Sequence, residues 1–293
     1  MENIVYVKGE WVPQSQAKVS VLDHGLLYGD GVFEGIRAYS GRVFKLEKHV
    51  DRLFLSAKAL EIEIGKSKAE IAELILEACR RNNIETGYIR PLVTRGEGDL
   101  GLDPRKCKKG ASLIIIAVPQ LSLYGEAYER GLSVVTASHR RVPAQSLSPS
   151  IKSLNYLNNV LARIEANSTN ADEALLLDLQ GYVSEASADN LFIVNRKILT
   201  TPPTSTNLPG ITRDTVMELA TQKGYQVREQ FFSLFDVWTA DECFITGTAA
   251  EVGPVSKVDG RMIGEGKPGP ITKELMKSYR DLVMSTGTPI QKK

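Results

Sequence analysis

The sequence contains few residues of the kinds that cross-link small folds or bind metals. Its 293 residues include only three cysteines and three histidines. The cysteines are odd in number and widely spaced, at positions 79, 107 and 243, which speaks against a disulfide framework or a zinc site. The histidines are also far apart, so we predict neither a metal ligand nor a general base among His24, His49 and His139.

The chain also lacks a charge excess and a long apolar run. Its 36 Lys and Arg against 35 Asp and Glu leave a net charge of +1, so no nucleic-acid partner is expected. The longest notable apolar run, residues 113–118, is far too short to span a bilayer. The first residues do not read as a signal peptide either. We therefore expect no membrane partner and, by default, a reducing cytoplasmic location.

Strand and helix patterns occur in separate runs along the chain. Short strand patterns come first, helices are predicted at residues 47–60 and 68–82, and a break follows at residues 119–125. A helix at about residues 154–166 precedes a second run of short strands, and its predicted inward face consists of Leu157, Val160, Leu161 and Ile164. This segregation predicts a mixed α+β fold with a small N-terminal domain at 1–118, a linker at 119–128 and a large domain at 129–293.

Residues 96–101, with the sequence GEGDLG, fit the glycine pattern of dinucleotide-binding loops. That function requires a helix directly after the glycines, because the helix N-terminus holds the pyrophosphate. Here Pro104 lies where the helix would have to grow. We therefore interpret the segment as a flexible loop, and a nicotinamide-dependent dehydrogenase is the weaker alternative.

Four segments, in order along the chain, closely resemble the motifs of class IV aminotransferases. They are residues 28–37 (YGDGVFEGIR), 150–157 (SIKSLNYL), 185–192 (EASADNLF) continued by 208–213 (LPGITR), and 247–251 (GTAAE). A single motif of this length is weak evidence, whereas four concordant motifs from about residue 4 to 256 are specific. The resemblance implies fold type IV: two α/β domains with a pyridoxal 5′-phosphate site between them.

The resemblance assigns the cofactor-binding residues. Lys152 would bond covalently to the cofactor aldehyde and move protons. Tyr156, one helical turn further on, would lie on the same side and bond the phenolic oxygen. Glu185 would face the pyridine nitrogen, since a buried carboxylate needs a cationic or protonated partner. The phosphate would be bound at a helix N-terminus and by neighbouring groups, namely by Ile211, Thr212, Thr248 and Arg52.

The resemblance also assigns the substrate side and the partners. The residues expected to border the substrate are Tyr28, Phe33, Gly35, Arg37, Tyr88, Arg90, Thr248 and Ala249. Aromatic side chains among them suit a branched aliphatic substrate. The branched-chain members of the family pair such amino acids with 2-oxoglutarate and form homodimers, and we expect the same here. D-amino acid aminotransferases, (R)-amine transaminases and aminodeoxychorismate lyases share the cofactor motifs and stay open as alternatives. A non-enzymatic relative would be expected to lack Lys152 or Glu185.

Overall fold

The computed structural model describes residues 2–119 and 123–291. Residues 120–122 of the predicted linker thus lie outside the described residues. The chain divides into two compact units. The first comprises Met1–Leu121, Ile151–Asn155 and Val283–Lys293, and the second comprises Ser122–Ser150 and Tyr156–Leu282.

Short strands and helices of mixed order make up both units, as predicted for a mixed α+β fold. The strands are β1 (Ile4–Val7), β2 (Glu10–Pro13), β3 (Gly31–Phe33), β4 (Ile36–Tyr39), β5 (Arg42–Val43), β6 (Gly87–Thr94), β7 (Ser112–Pro119), β8 (Leu132–Arg140), β9 (Glu173–Leu177), β10 (Val183–Ala186), β11 (Asn190–Asn195), β12 (Ile198–Thr201), β13 (Gln226–Glu229), β14 (Glu242–Gly247), β15 (Glu251–Val258), β16 (Arg261–Met262) and β17 (Thr288–Pro289). The α-helices are α1 (His24–Tyr28), α2 (Leu46–Ala59), α3 (Lys68–Arg81), α4 (Ala127–Arg130), α5 (Leu157–Ser168), α6 (Ile211–Gln222), α7 (Leu234–Trp238) and α8 (Pro270–Ser285).

The first unit is a sheet in the order β17-β5-β4-β6-β7-β1-β2, with β3 also paired to β6. Strand β6 alternates, so that Ile89 and Val93 are buried in the core while Tyr88 and Arg90 are only half-buried. Helices α2 and α3 bury residues at helical spacing against this core, which confirms both predicted helices. A capping box fixes the start of α3.

The second unit is a mixed sheet in the order β10-β9-β8-β15-β14-β11-β12-β13, with β16 beside β15. The central strands β11 and β14 pair in antiparallel register, and Phe192 and Phe244 stack with ring centroids 4.9 Å apart. The residues that alternate with them, Leu191, Ile193, Cys243 and Ile245, belong to a hydrophobic cluster of this unit.

Helix α5 differs from its prediction in both its start and its buried face. It begins at Leu157 rather than near residue 154, and it packs on β8 and β9 through Ala162 and Ala166. The predicted inward face is largely outside: Leu157 is 70% exposed, Val160 48% and Ile164 56%. Small side chains allow close packing of the helix on the sheet, and the periodicity of the sequence could not tell which face would do so. Within the described residues, none of the helices is long and apolar enough to cross a membrane.

Candidate functional site

In the first unit, the chain segment that carries Lys152 runs beside β3. The amide of Phe33 donates to the Lys152 carbonyl at 3.0 Å, and the Leu154 amide donates to the Gly31 carbonyl at 2.9 Å. The Lys152 amide in turn donates to the hydroxyl of Ser56 on α2, at 3.1 Å. These bonds fix the backbone of Lys152, and its ammonium nitrogen lies 4.7 Å from the centroid of the Phe33 ring.

A second cation, Arg90, lies against the same aromatic ring. Its guanidinium carbon is 4.6 Å from the Phe33 centroid, and its Nη2 donates to the Tyr88 hydroxyl at 2.6 Å. Gly35 makes room for that hydroxyl, since a Cβ at Gly35 would lie 2.2 Å from it. The Arg90 Nε is buried with no hydrogen-bond partner within residues 2–119 and 123–291. The structure thus brings together Lys152, Phe33, Gly35, Tyr88 and Arg90.

Two other predicted substrate residues have different surroundings. The guanidinium of the buried Arg37 lies 4.9 Å from the Tyr39 ring. The Tyr28 hydroxyl donates to the Leu100 carbonyl at 2.5 Å.

That contact reaches the glycine-rich loop at residues 96–101. The loop packs on α1, since the backbone amide of His24 donates to the Gly96 carbonyl at 2.9 Å. Only a short 3-10 turn, Pro104–Lys106, follows the loop. The helix that dinucleotide binding requires is therefore not formed there, and the dehydrogenase alternative loses its support.

Arg52 is paired with a carboxylate that the sequence analysis did not single out. Its Nε and Nη2 donate to the two oxygens of Glu34 at 2.6 and 2.9 Å, and the ring nitrogen Nδ1 of His49 lies 2.8 Å from Glu34. Glu34 is fully buried. Burial alone would raise its pKa, but Arg52 and His49 outweigh burial and hold the pKa well below its usual range. The residue lies inside the 28–37 motif, yet nothing in the motif indicated which side chain it would meet.

Burial keeps His49 uncharged at neutral pH. Burial lowers the pKa of His49 and outweighs the opposing effect of Glu34, and the nearby positive charges of Arg52 and Lys152 lower it further. Neutral His49 can donate from Nδ1 to the carboxylate, so Glu34 accepts three hydrogen bonds.

In the second unit, Glu185 lies on β10 and both of its oxygens are engaged. The Arg141 Nε donates to Oε1 at 2.6 Å, and the Leu208 amide donates to Oε2 at 3.1 Å. Only 5% of Glu185 is exposed. Glu185 belongs to a family motif, whereas Arg141 comes 44 residues earlier in the chain and belongs to none of the motifs.

The loop that bonds Glu185 leads directly into α6, which contains Ile211 and Thr212. Gly210 is the N-cap, and no side chain of the described residues caps the helix. A Cβ at Gly210 would lie 2.0 Å from the Asn190 side-chain oxygen, so the close approach requires glycine. The uncapped N-terminus of α6 presents backbone N–H groups, with the buried Thr212 in its first turn.

Thr248 and Ala249 lie in the turn between β14 and β15. Gly247, at the start of this turn, packs closely on Asp189, since a Cβ at Gly247 would lie 1.8 Å from the Asp189 carboxylate. Tyr124 donates its hydroxyl towards that carboxylate at 3.1 Å and towards Glu173 at 2.8 Å. The turn is therefore packed on a buried polar cluster.

Tyr156 is the N-cap of α5. Residues 152–155 are not helical, so the helical turn that was expected to align Tyr156 with Lys152 is absent, and that part of the interpretation is wrong. The cofactor-binding role of Tyr156 stays a prediction.

Comparisons with known proteins agree with these motifs. The family model described as amino-transferase class IV matches residues 31–258. A relative from Methanocaldococcus jannaschii is 52% identical over 98% of both chains. A branched-chain-amino-acid aminotransferase from Pseudomonas aeruginosa is 42% identical, over 96% of this chain and 93% of its own.

Solved structures give the same result. The crystal structure of the branched-chain amino acid aminotransferase from Thermobaculum terrenum, in its holo form with pyridoxal 5′-phosphate, has a TM-score of 0.88 and 31% identity. The match covers 97% of this chain and 94% of that chain. The protein described here therefore belongs to the class IV aminotransferases and has their fold, fold type IV.

Proposed function

We propose that this protein transfers amino groups between branched-chain L-amino acids (leucine, isoleucine and valine) and 2-oxoglutarate, with pyridoxal 5′-phosphate as cofactor. The observation that carries the proposal is the position of Lys152. Its backbone is fixed beside β3, and its ammonium lies next to an aromatic ring that Arg90 also contacts. Relatives named as branched-chain aminotransferases support the substrate class.

The residues present fit the cofactor chemically. The N-terminus of α6 has no side-chain cap and presents backbone N–H groups, and Thr248 carries a hydroxyl donor; both kinds of group suit a phosphate. Ile211, Thr212, Thr248 and Arg52 would hold that phosphate. Lys152 would bind the aldehyde carbon covalently, and Tyr156 would donate to the phenolic oxygen. When bound, the cofactor supplies an electron sink for the substrate's α-carbon.

The chain's own residues perform the proton chemistry. Lys152 would hold and move the proton of the substrate's α-carbon. Glu185 would face the pyridine nitrogen, because a buried carboxylate favours a protonated partner.

The substrate side combines an apolar wall with cations. Phe33, Tyr28 and Tyr88 would line the pocket for the substrate's side chain. Gly35 would allow the protein backbone to pass close to that pocket. Thr248 and Ala249 would bind the α-carboxylate. Arg90 or Arg37 would bind the second carboxylate of glutamate. Arg90 is the better supported of the two, because its guanidinium lies on the Phe33 ring beside Lys152.

A panel of amino donors tests the function. With 2-oxoglutarate as acceptor, L-leucine and L-valine should react faster than D-alanine and (R)-1-phenylethylamine. Faster reaction with D-alanine would replace the proposal by a D-amino acid aminotransferase. Borohydride reduction followed by mass mapping should find the pyridoxyl group on Lys152, and a label on any other lysine would overturn the assignment.

We also propose that the protein self-associates, at least as a homodimer. The exposed apolar face of α5 supports this, because Leu157, Val160 and Ile164 form a continuous row at helical spacing. Light scattering of V160E should show a loss of the oligomer. The control is L55E, which places the same charge on an exposed leucine of α2 and should leave the oligomer intact. We place the protein in the cytoplasm, which is consistent with its three free thiols.

A further inference from the structure

Arg141 is bound to Glu185 through an almost fully buried ion pair. The side chains are 11% and 7% exposed, and the Arg141 Nε lies 2.6 Å from the Glu185 Oε1. Arg141 follows directly after β8, and its backbone amide continues the pairing with β9 by donating to the Leu177 carbonyl at 2.8 Å. The arginine is therefore attached to a strand and not to a mobile loop.

Asn158 of α5 holds the arginine in place from the other side. Its side-chain oxygen accepts from the Val142 amide at 3.2 Å and from the Arg141 Nη1 at 3.4 Å. Its side-chain nitrogen donates to the Arg140 carbonyl at 2.9 Å. One side chain thus binds the backbone on both sides of Arg141 and its guanidinium as well.

This arrangement has an electrostatic consequence for Glu185. An ionised carboxylate has about four acceptor positions, of which Arg141 and the Leu208 amide use one on each oxygen. The Glu185 carboxylate can therefore accept a hydrogen bond from a further donor. The positive charge of Arg141 lies directly against Oε1. If the further donor transferred its proton to Glu185, that proton would bring positive charge closer to Arg141, which is unfavourable.

We propose that Arg141 is a positioning residue that keeps Glu185 ionised and oriented, so that a proton shared with the cofactor's pyridine nitrogen stays on the nitrogen. The inference rests on the proposed function, in which Glu185 faces that nitrogen. Without Arg141, the carboxylate would keep a single hydrogen bond from Leu208 and would be free to rotate or to take the proton itself.

The experiment is nitrogen NMR of the holoenzyme reconstituted with pyridoxal 5′-phosphate labelled with ¹⁵N in the ring. The chemical shift of that nitrogen reports directly whether it carries a proton. The wild type and R141K should show the protonated shift, because lysine keeps the positive charge. R141M should move the shift towards that of unprotonated pyridine. The control is R140M, which removes the exposed neighbouring arginine and should leave the shift unchanged.

E185Q separates a failure of this inference from a failure of the proposed function. If E185Q leaves the nitrogen protonated, Glu185 is not its partner and the proposed site is wrong. If E185Q deprotonates the nitrogen but R141M does not, the Arg141 inference alone is overturned. Should R141M fail to fold, R141Q, which is neutral but still polar, takes its place under the same criterion.

Discussion

The guanidinium of Arg52 forms two hydrogen bonds with the fully buried carboxylate of Glu34, at 2.6 and 2.9 Å. Two donors on one carboxylate fix both the position and the rotation of the guanidinium plane. The pairing also neutralises most of the positive charge of Arg52. Arg52 would therefore act on a phosphate through a directed hydrogen bond more than through net charge.

The first prediction is that E34Q weakens cofactor binding through the phosphate. An amide cannot accept from both edges of the guanidinium, so Arg52 loses its fixed orientation and an interaction of about 1–3 kcal/mol with the phosphate. Titration of the apo-protein should show an affinity for pyridoxal 5′-phosphate at least about tenfold lower, with little change for pyridoxal, which has no phosphate. The control is E47Q, which changes an exposed glutamate of α2, the helix that carries Arg52. An equal loss for both ligands would show that Glu34 acts on something other than the phosphate.

The second prediction concerns acid stability. The pKa of His49 is lowered in the folded protein from its ordinary 6.5, and that of Glu34 is lowered from 4.5. Below pH 6.5 the unfolded chain therefore binds a proton at His49 that the folded chain does not, and below pH 4.5 the same holds for Glu34. Both effects stabilise the fold at neutral pH and are lost as the pH falls.

Urea denaturation between pH 8 and pH 4 measures this effect. The unfolding free energy of the wild type should fall below pH 6.5. H49Q should be less stable at pH 8 but should lose less between pH 7 and pH 5. An unchanged slope in H49Q would show that the pKa of His49 does not differ between the folded and unfolded protein.

The third prediction is that G35A disturbs Tyr88 and that Y88F repairs the disturbance. A Cβ at position 35 would lie 2.2 Å from the Tyr88 hydroxyl, so the ring must move and break its 2.6 Å bond from Arg90. Overpacking of this kind costs about 1–3 kcal/mol. We expect kcat/KM for L-leucine to fall roughly tenfold or more in G35A. Removing the hydroxyl leaves the nearest ring atom at 3.0 Å, so G35A/Y88F should recover part of the loss. If the double variant is worse than G35A, the clash lies elsewhere.

Local signals in the sequence predicted part of the fold and part of the candidate site. Helix α3 was predicted closely from the regular spacing of its apolar residues, and the structure adds a capping box of Ser67 and Glu70 at its start. Helix α5 was not, because its apolar side faces outwards and alanines make the contact with the sheet. The family motifs indicated Lys152 and Glu185, but the partners of the charged residues depend on the tertiary fold. Arg141 pairs with Glu185 across 44 residues, and no spacing rule in the sequence connects them.

The last prediction concerns how one pocket accepts both leucine and glutamate. A wall formed by Phe33 and Tyr88 favours an aliphatic side chain, and each buried methylene contributes roughly 0.8 kcal/mol. Glutamate brings a carboxylate to the same place and needs a cation there. Arg90 meets that need better than Arg37, because Arg90 lies on the Phe33 ring beside Lys152, whereas Arg37 lies on the ring of Tyr39.

R90M should therefore lower kcat/KM for L-glutamate by about 10- to 100-fold, the equivalent of one charge-assisted hydrogen bond. Its effect on L-leucine should be several-fold smaller, because methionine restores an apolar surface. R37M is the matched comparison, and a greater loss of glutamate activity in R37M than in R90M would assign the carboxylate to Arg37 instead.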